Sequence, residues 1–152
     1  MKSTLFLFSI VIALLFSFAG CSEKSTRESN EDKKDTLVNW GVRDDYVQDE
    51  KVLMTVVPDP NLKAGKSFGY LFSFTAPFET FEKKKLAIYA YHKETEEKIT
   101  VLPPKTIEEP SPGYSTLSRF PVVAKVPKSG IWRYEVILDD KFYADIVLEL
   151  KE

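Results

Sequence analysis

Beyond residue 36 the chain is built from short apolar runs separated by turn-forming clusters, and it does not sustain helical periodicity. Val52 to Val57 is rich in β-branched residues and is halted by Pro58-Asp59-Pro60-Asn61, because proline fixes φ and has no N–H to donate. Lys63-Ala64-Gly65-Lys66 turns the chain into Ser67 to Thr75, where Phe68, Tyr70, Phe72 and Phe74 occupy every second position. Leu86 to Tyr91 and Ile99 to Leu102 flank the polar segment Lys93 to Glu97. Pro103 to Gly113, with four prolines, predicts a long loop. Thr116 to Val126 follows, with Phe120, Val122, Ala124 and Val126 on one side; Pro121 inside it predicts an edge position or a bulge.

The last two runs carry the clearest pattern. Trp132, Tyr134, Val136 and Leu138 alternate with more polar neighbours up to Asp139-Asp140; Phe142, Ala144, Ile146, Leu148 and Leu150 alternate beyond it. Alternation on both sides of a two-residue polar turn predicts a β-hairpin with one buried face. Tyr143 then faces away from the buried row of the final strand, and Tyr89 and Tyr91 face away from Leu86, Ile88 and Ala90. Together the runs predict an all-β domain over residues 37–152: an antiparallel β-sandwich of about seven strands.

The other end of the chain reads differently. Residues 1 to 20 consist of a short start with Lys2, an uncharged apolar stretch from Leu5, and a small-residue zone ending Ala19-Gly20, the three parts of a secretory signal. A single membrane-spanning helix is the competing reading, since about 20 apolar residues suffice to span. The small residues before Cys21, placed where a peptidase needs them, and the mixed charges of Ser22-Glu23-Lys24 argue against it. Residues 22 to 36 contain no apolar side chain and predict a flexible spacer, with a reach on the order of 20 Å from Cys21 to the domain.

Charge and residue counts narrow the chemistry. A net charge of −2 gives no electrostatic reason to expect a nucleic acid partner. Cys21 is the one cysteine and His92 the one histidine, too few for a zinc site of the usual ligand set. His92 closes a strand before a charged segment and is expected to be a solvated strand-end residue. The acidic pairs Asp44-Asp45, Glu96-Glu97, Glu108-Glu109 and Asp139-Asp140 fall in loops or turns and lack calcium-loop spacing. No cofactor or catalytic set is expected. Tyr89, Tyr91, Tyr143 and Trp40 remain as candidate partner-binding residues, because outward aromatic rings on a sheet are common anchors; for Trp40 the alternatives of a lid over the domain and an exposed contact stay open.

Phe18-Ala19-Gly20-Cys21 resembles the bacterial lipobox, with Phe18 where leucine is commonest. The resemblance implies that the Cys21 sulfur receives a diacylglycerol, that cleavage falls before it, and that two acyl chains hold the protein on the extracytoplasmic face of a membrane. Pro127-Lys128-Ser129-Gly130-Ile131-Trp132-Arg133-Tyr134 resembles the penultimate strand of bacterial immunoglobulin-like domains, which implies that sandwich type. The closing Ser-Gly-x-Trp-Arg hairpin is also similar to that of uncharacterised lipoproteins of Bacillus-type bacteria. Beyond membrane lipid, the expected partners are an envelope protein, a peptide or a wall polymer, met by a non-catalytic binding module. The alternatives are a protease-inhibitor-like domain using the Pro103 to Gly113 loop, and a carboxylate-based cell-wall hydrolase.

Overall fold

The computed structural model describes residues 38–152. The expected signal segment, Gly20, Cys21 and the spacer lie outside the described residues. Residues 38–152 form one compact unit of eight strands and a single 3-10 turn at Phe78–Thr80. The strands are β1 (Asp45–Gln48), β2 (Lys51–Pro58), β3 (Ser67–Phe74), β4 (Lys85–His92), β5 (Lys98–Thr106), β6 (Phe120–Lys125), β7 (Gly130–Leu138) and β8 (Lys141–Leu150).

Every pairing is antiparallel, and the strands divide into two sheets ordered β1-β2-β3-β6 and β5-β4-β7-β8. With β2 to β5 read as A, B, C and C′, and β6 to β8 as E, F and G, the sheets become A-B-E and C′-C-F-G. That is the immunoglobulin-type sandwich with one strand, β1, added at an edge. Among the described residues no helix is long and apolar enough to cross a membrane.

Three elements depart from expectation. β1 adds an eighth strand, too short and too weakly alternating to register in the pattern; only Tyr46 of its residues packs against the core. β5 runs on to Thr106, through Pro103 and Pro104, and so shortens the expected proline-rich loop. An edge strand tolerates those prolines, since one side of its backbone needs no ladder bond. β6 begins only at Phe120, and Pro121 sits on it opposite Leu71 at the other sheet edge, as anticipated.

Two hairpins turn on two residues with positive φ, Asp49-Glu50 (50° and 62°) and Asp139-Asp140 (48° and 62°). This is the hand that suits the twist of a two-residue hairpin, and aspartate tolerates it better than most residues. Glutamate does not, and the left-handed region costs an ordinary L-residue roughly 1–2 kcal/mol. Glu50→Gly should therefore stabilise the domain by about 1 kcal/mol, read as a higher urea midpoint at unchanged slope; an unchanged or lower midpoint would count against the strain.

The core lies between the sheets and is led by Trp132, Tyr70, Tyr134, Phe72, Phe74 and Phe81, all essentially inaccessible to solvent. Trp132 satisfies its indole N–H on the Lys128 carbonyl at 3.0 Å. Tyr70 and Tyr134, one from each sheet, share a hydrogen bond between their hydroxyls at 3.1 Å. Burial raises the pKa of both above the ordinary 10.0, most strongly at Tyr134, where a charged Tyr70 would add repulsion.

The folded state thus holds these protons more tightly than the unfolded chain does. Their contribution is complete below about pH 10 and is lost as the pH climbs past it. Stability measured between pH 9 and 12 should fall, and fall less steeply in the Tyr70→Phe/Tyr134→Phe double variant. Equal slopes would refute the assignment.

Candidate functional site

The outer face of β5-β4-β7-β8 gathers the chemistry. On β4, Leu86, Ile88, Ala90 and His92 turn inward and are buried, so Lys85, Ala87, Tyr89 and Tyr91 turn outward. Register extends that parity across the sheet. Lys98, Tyr91, Arg133 and Val147 form one row; Thr100, Tyr89, Glu135 and Asp145 form the next.

The segment before β1 completes the face. Arg43 pairs with Val147 like one extra residue of sheet: its N–H donates to the Val147 carbonyl at 2.8 Å and its carbonyl accepts the Val147 N–H at 3.0 Å. This sends the Arg43 guanidinium to Asp145 at 2.5 Å. Arg133 reaches Asp145 from the other side at 3.3 Å and donates to Glu135 at 2.5 Å. Asp145 is only 6% exposed, and a carboxylate so placed requires opposite charge. Two arginines and two acids close a neutral cluster. The Tyr46 hydroxyl beside it has a raised pKa, through burial first and the Asp145 charge second.

Aromatic rings and cations interleave above that cluster. The Arg133 guanidinium lies 5.4 Å from the Tyr91 ring centre and 5.8 Å from the Trp40 ring. The Lys98 ammonium lies 4.1 Å from the Tyr89 ring and 5.4 Å from Tyr91. All four distances fall within the range of cation–π attraction. Beside Tyr89 the sheet dips into a recess of about 210 Å³ lined by Lys85, Ala87, Tyr89, Lys98, Pro104 and Ile137, among others. The dip has a simple cause: the methyl of Ala87 is the only side chain that position of the central strand offers. A wider groove of about 560 Å³ runs between residues 42–44, the Pro58 to Lys63 loop and the end of β8; no aromatic ring lines it.

Of the residues singled out from the sequence, Tyr89, Tyr91 and Trp40 are therefore brought to one face, all half-buried. Trp40 acts as a lid over Arg133. Tyr143 does not join them, and the expectation that it faces outward is corrected. β7 and β8 slip by one residue between Val136 and Ile137, so that Val136 opposes Ala144 while Ile137 opposes Phe142. The extra residue is Tyr143, whose ring turns inward against Phe74 and Phe81 (centroids 5.9 and 5.4 Å) and leaves Phe142 outside. Burial raises the pKa of its hydroxyl.

His92 is corrected as well. It is 4% exposed, with its ring 4.9 Å from Trp132. Its Nδ1 accepts the Thr95 backbone N–H at 3.2 Å, and its Nε2 lies 3.1 Å from the Ser129 carbonyl, to which it donates. Both ring nitrogens are thus engaged in closing the ends of β4 and β7. Of the acidic pairs, Asp139 accepts the Lys85 backbone N–H at 2.8 Å and Glu97 pairs with Lys128 at 2.7 Å. Among the described residues no group of three or more histidine, cysteine or acidic side chains is placed to hold a metal ion.

Sequence reasoning missed Arg43, Lys98, Arg133, Glu135 and Asp145. Arg133 and Glu135 stood in plain alternation on β7 and Asp145 in that of β8, but the register that sets Asp145 opposite Glu135 came only with the one-residue slip.

No family model matches the chain, and no curated protein does. Solved structures do. A superoxide reductase (neelaredoxin) from Ignicoccus hospitalis is 16% identical over 64% of this chain and 78% of its own, with a TM-score of 0.43. A variant of that protein gives 14% identity, 70% and 81% coverage, and a TM-score of 0.44. The crystal structure of a Bacillus anthracis protein assigned as a lipoprotein reaches a TM-score of 0.52 at 18% identity, over 75% of this chain and 88% of that one. With the Bacillus anthracis protein this chain shares a sandwich fold.

Proposed function

We propose that this chain is a lipid-anchored protein of the extracytoplasmic membrane face, whose sandwich is a non-catalytic binding module working through the outer face of β5-β4-β7-β8. The anchoring half rests on Phe18-Ala19-Gly20-Cys21, and the lipoprotein assignment of the Bacillus anthracis relative is in keeping with it. The binding half is carried by one observation: Trp40, Arg133, Tyr91, Lys98 and Tyr89 form a continuous aromatic and cationic row, fixed from beneath by Asp145. Arg133, held by Asp145 and Glu135, loses little freedom when a partner arrives, which favours recognition. His92, the one histidine of the sequence, is buried on the inner side of the sheet with both ring nitrogens bonded, which is in keeping with a binding role for the outer face.

Two measurements test the halves separately. Intact-mass analysis of membrane fractions should find a diacylated chain beginning at Cys21, and Cys21→Ser should leave the membrane fraction. A soluble, unmodified product would end the anchoring half. A photo-crosslinker placed at Tyr91 should capture a partner in intact cells, whereas one at Val123, 72% exposed on the opposite sheet, should not. The reverse pattern would move the binding face.

A further inference from the structure

We infer that the recess over Ala87 takes a linear anionic glycan, lying along β4 with its sugar rings on Tyr89 and Tyr91 and its charges on Lys85 and Lys98. This rests on the binding-module reading and names the ligand of that face. Lys85 and Lys98 both line the recess, and Lys98 stands opposite Tyr91 in register. Lys85 and Tyr91 are six residues apart on one strand, so their Cα atoms are separated by roughly 20 Å, and the Lys98 ammonium reaches back from beside Tyr91 to the Tyr89 ring. A site of that length and little depth suits an extended chain rather than a compact small molecule.

Its walls and floor indicate the kind of chain. β4 is paired on both sides, by β5 and β7, so its backbone is already committed and an extended peptide cannot add to it as a further strand. Recognition must come from side chains alone. The ring of Tyr89 and the apolar surfaces of Pro104 and Ile137 offer what the C–H faces of a pyranose ring stack upon. Asp140 is the one carboxylate on the rim against two lysines, an excess of positive charge that selects an anionic polymer over a neutral one. Lys98 covers the Tyr89 face in the free protein; its long stem lets the ammonium swing to an incoming anion and uncover the ring. The shared chemistry is a sugar carrying carboxylate or phosphate, and the probes separate these sources.

The test is a titration of the full chain in detergent micelles, followed by backbone amide shifts, with tetragalacturonate, a sugar-phosphate oligomer, cellotetraose and tetraglutamate as ligands. The expected result is saturable shifts along β4 and β5 with one or both anionic glycans. Which of the two binds identifies the anion. Lys98→Gln and Lys85→Gln should each weaken binding about tenfold, the size of one lost charge-assisted contact.

Ala87→Val should abolish binding while leaving thermal stability intact, which separates a filled recess from a damaged fold. Shifts on β4 with cellotetraose or tetraglutamate alone would overturn the glycan assignment and leave the binding face standing. Shifts confined to another surface would overturn both. Binding unchanged by Ala87→Val would overturn the recess.

Discussion

Asp145→Ala should cost about 3 kcal/mol, because it strips the shared acceptor from two guanidiniums and leaves their charge facing the sheet surface. Loss of one member of a buried pair is worse than replacement of the whole pair. A variant combining Asp145→Leu with Arg43→Met, which leaves Arg133 paired with Glu135, should therefore recover much of the loss. Urea midpoints read both effects. The emission of Trp40 should report the first as well, since the Arg133 beneath it loses one of its two acidic partners. A change below about 0.5 kcal/mol for Asp145→Ala would be that of an ordinary surface residue and would remove the cluster from any account of the face.

Gly130→Ala should be nearly as costly. Gly130 sits at φ 113°, a region where a non-glycine residue is strained by roughly 1–3 kcal/mol. A Cβ added there would stand 2.8 Å from His92 Nε2, displacing the ring from the Ser129 carbonyl and from Trp132. The expected loss is about 3 kcal/mol, part backbone strain and part collision. His92→Ala removes the collision partner, so the double variant should be more stable than the sum of the single losses by more than about 0.5 kcal/mol. Strict additivity would show that the two residues do not press on each other.

That contact also explains a piece of sequence. In Pro127-Lys128-Ser129-Gly130-Ile131-Trp132, the glycine is needed where the backbone passes His92, Lys128 supplies the carbonyl for the Trp132 indole, and Ser129 supplies one for His92. The sandwich was legible because strong alternation dominates β3, β7 and β8, and alternation has one structural meaning. Even the slip in β8 was implicit. With a two-residue turn at Asp139-Asp140, residues 137 and 142 must share a face, so the apolar rows of both strands can face inward only if one residue is inserted. Tyr143 is that residue.

The candidate face was legible only in part. Tyr89 and Tyr91 followed from the parity of β4, whereas the register that sets Asp145 opposite Glu135 depended on the slip. The burial of His92 depended on a partner 37 positions away, which no local pattern encodes. Pro103 and Pro104 misled because their cost depends on whether a strand lies at an edge, a property of the assembled sheet.

The attachment of Arg43 to β8 has a mechanical side. Any pull on the chain ahead of Val38 arrives first at Trp40 and Arg43, whose backbone is stitched to Val147 and whose side chain grips Asp145. Traction is thereby delivered to the middle of the last strand before β1 feels it. The stitch is two hydrogen bonds and an ion pair, so moderate tension would detach it as a unit and lift Trp40 off Arg133, while the eight-stranded body stayed intact. The aromatic row would then respond to tension on the chain ahead of it, and single-molecule stretching from the N-terminal side should show a small early extension, absent in Arg43→Ala, well ahead of global rupture.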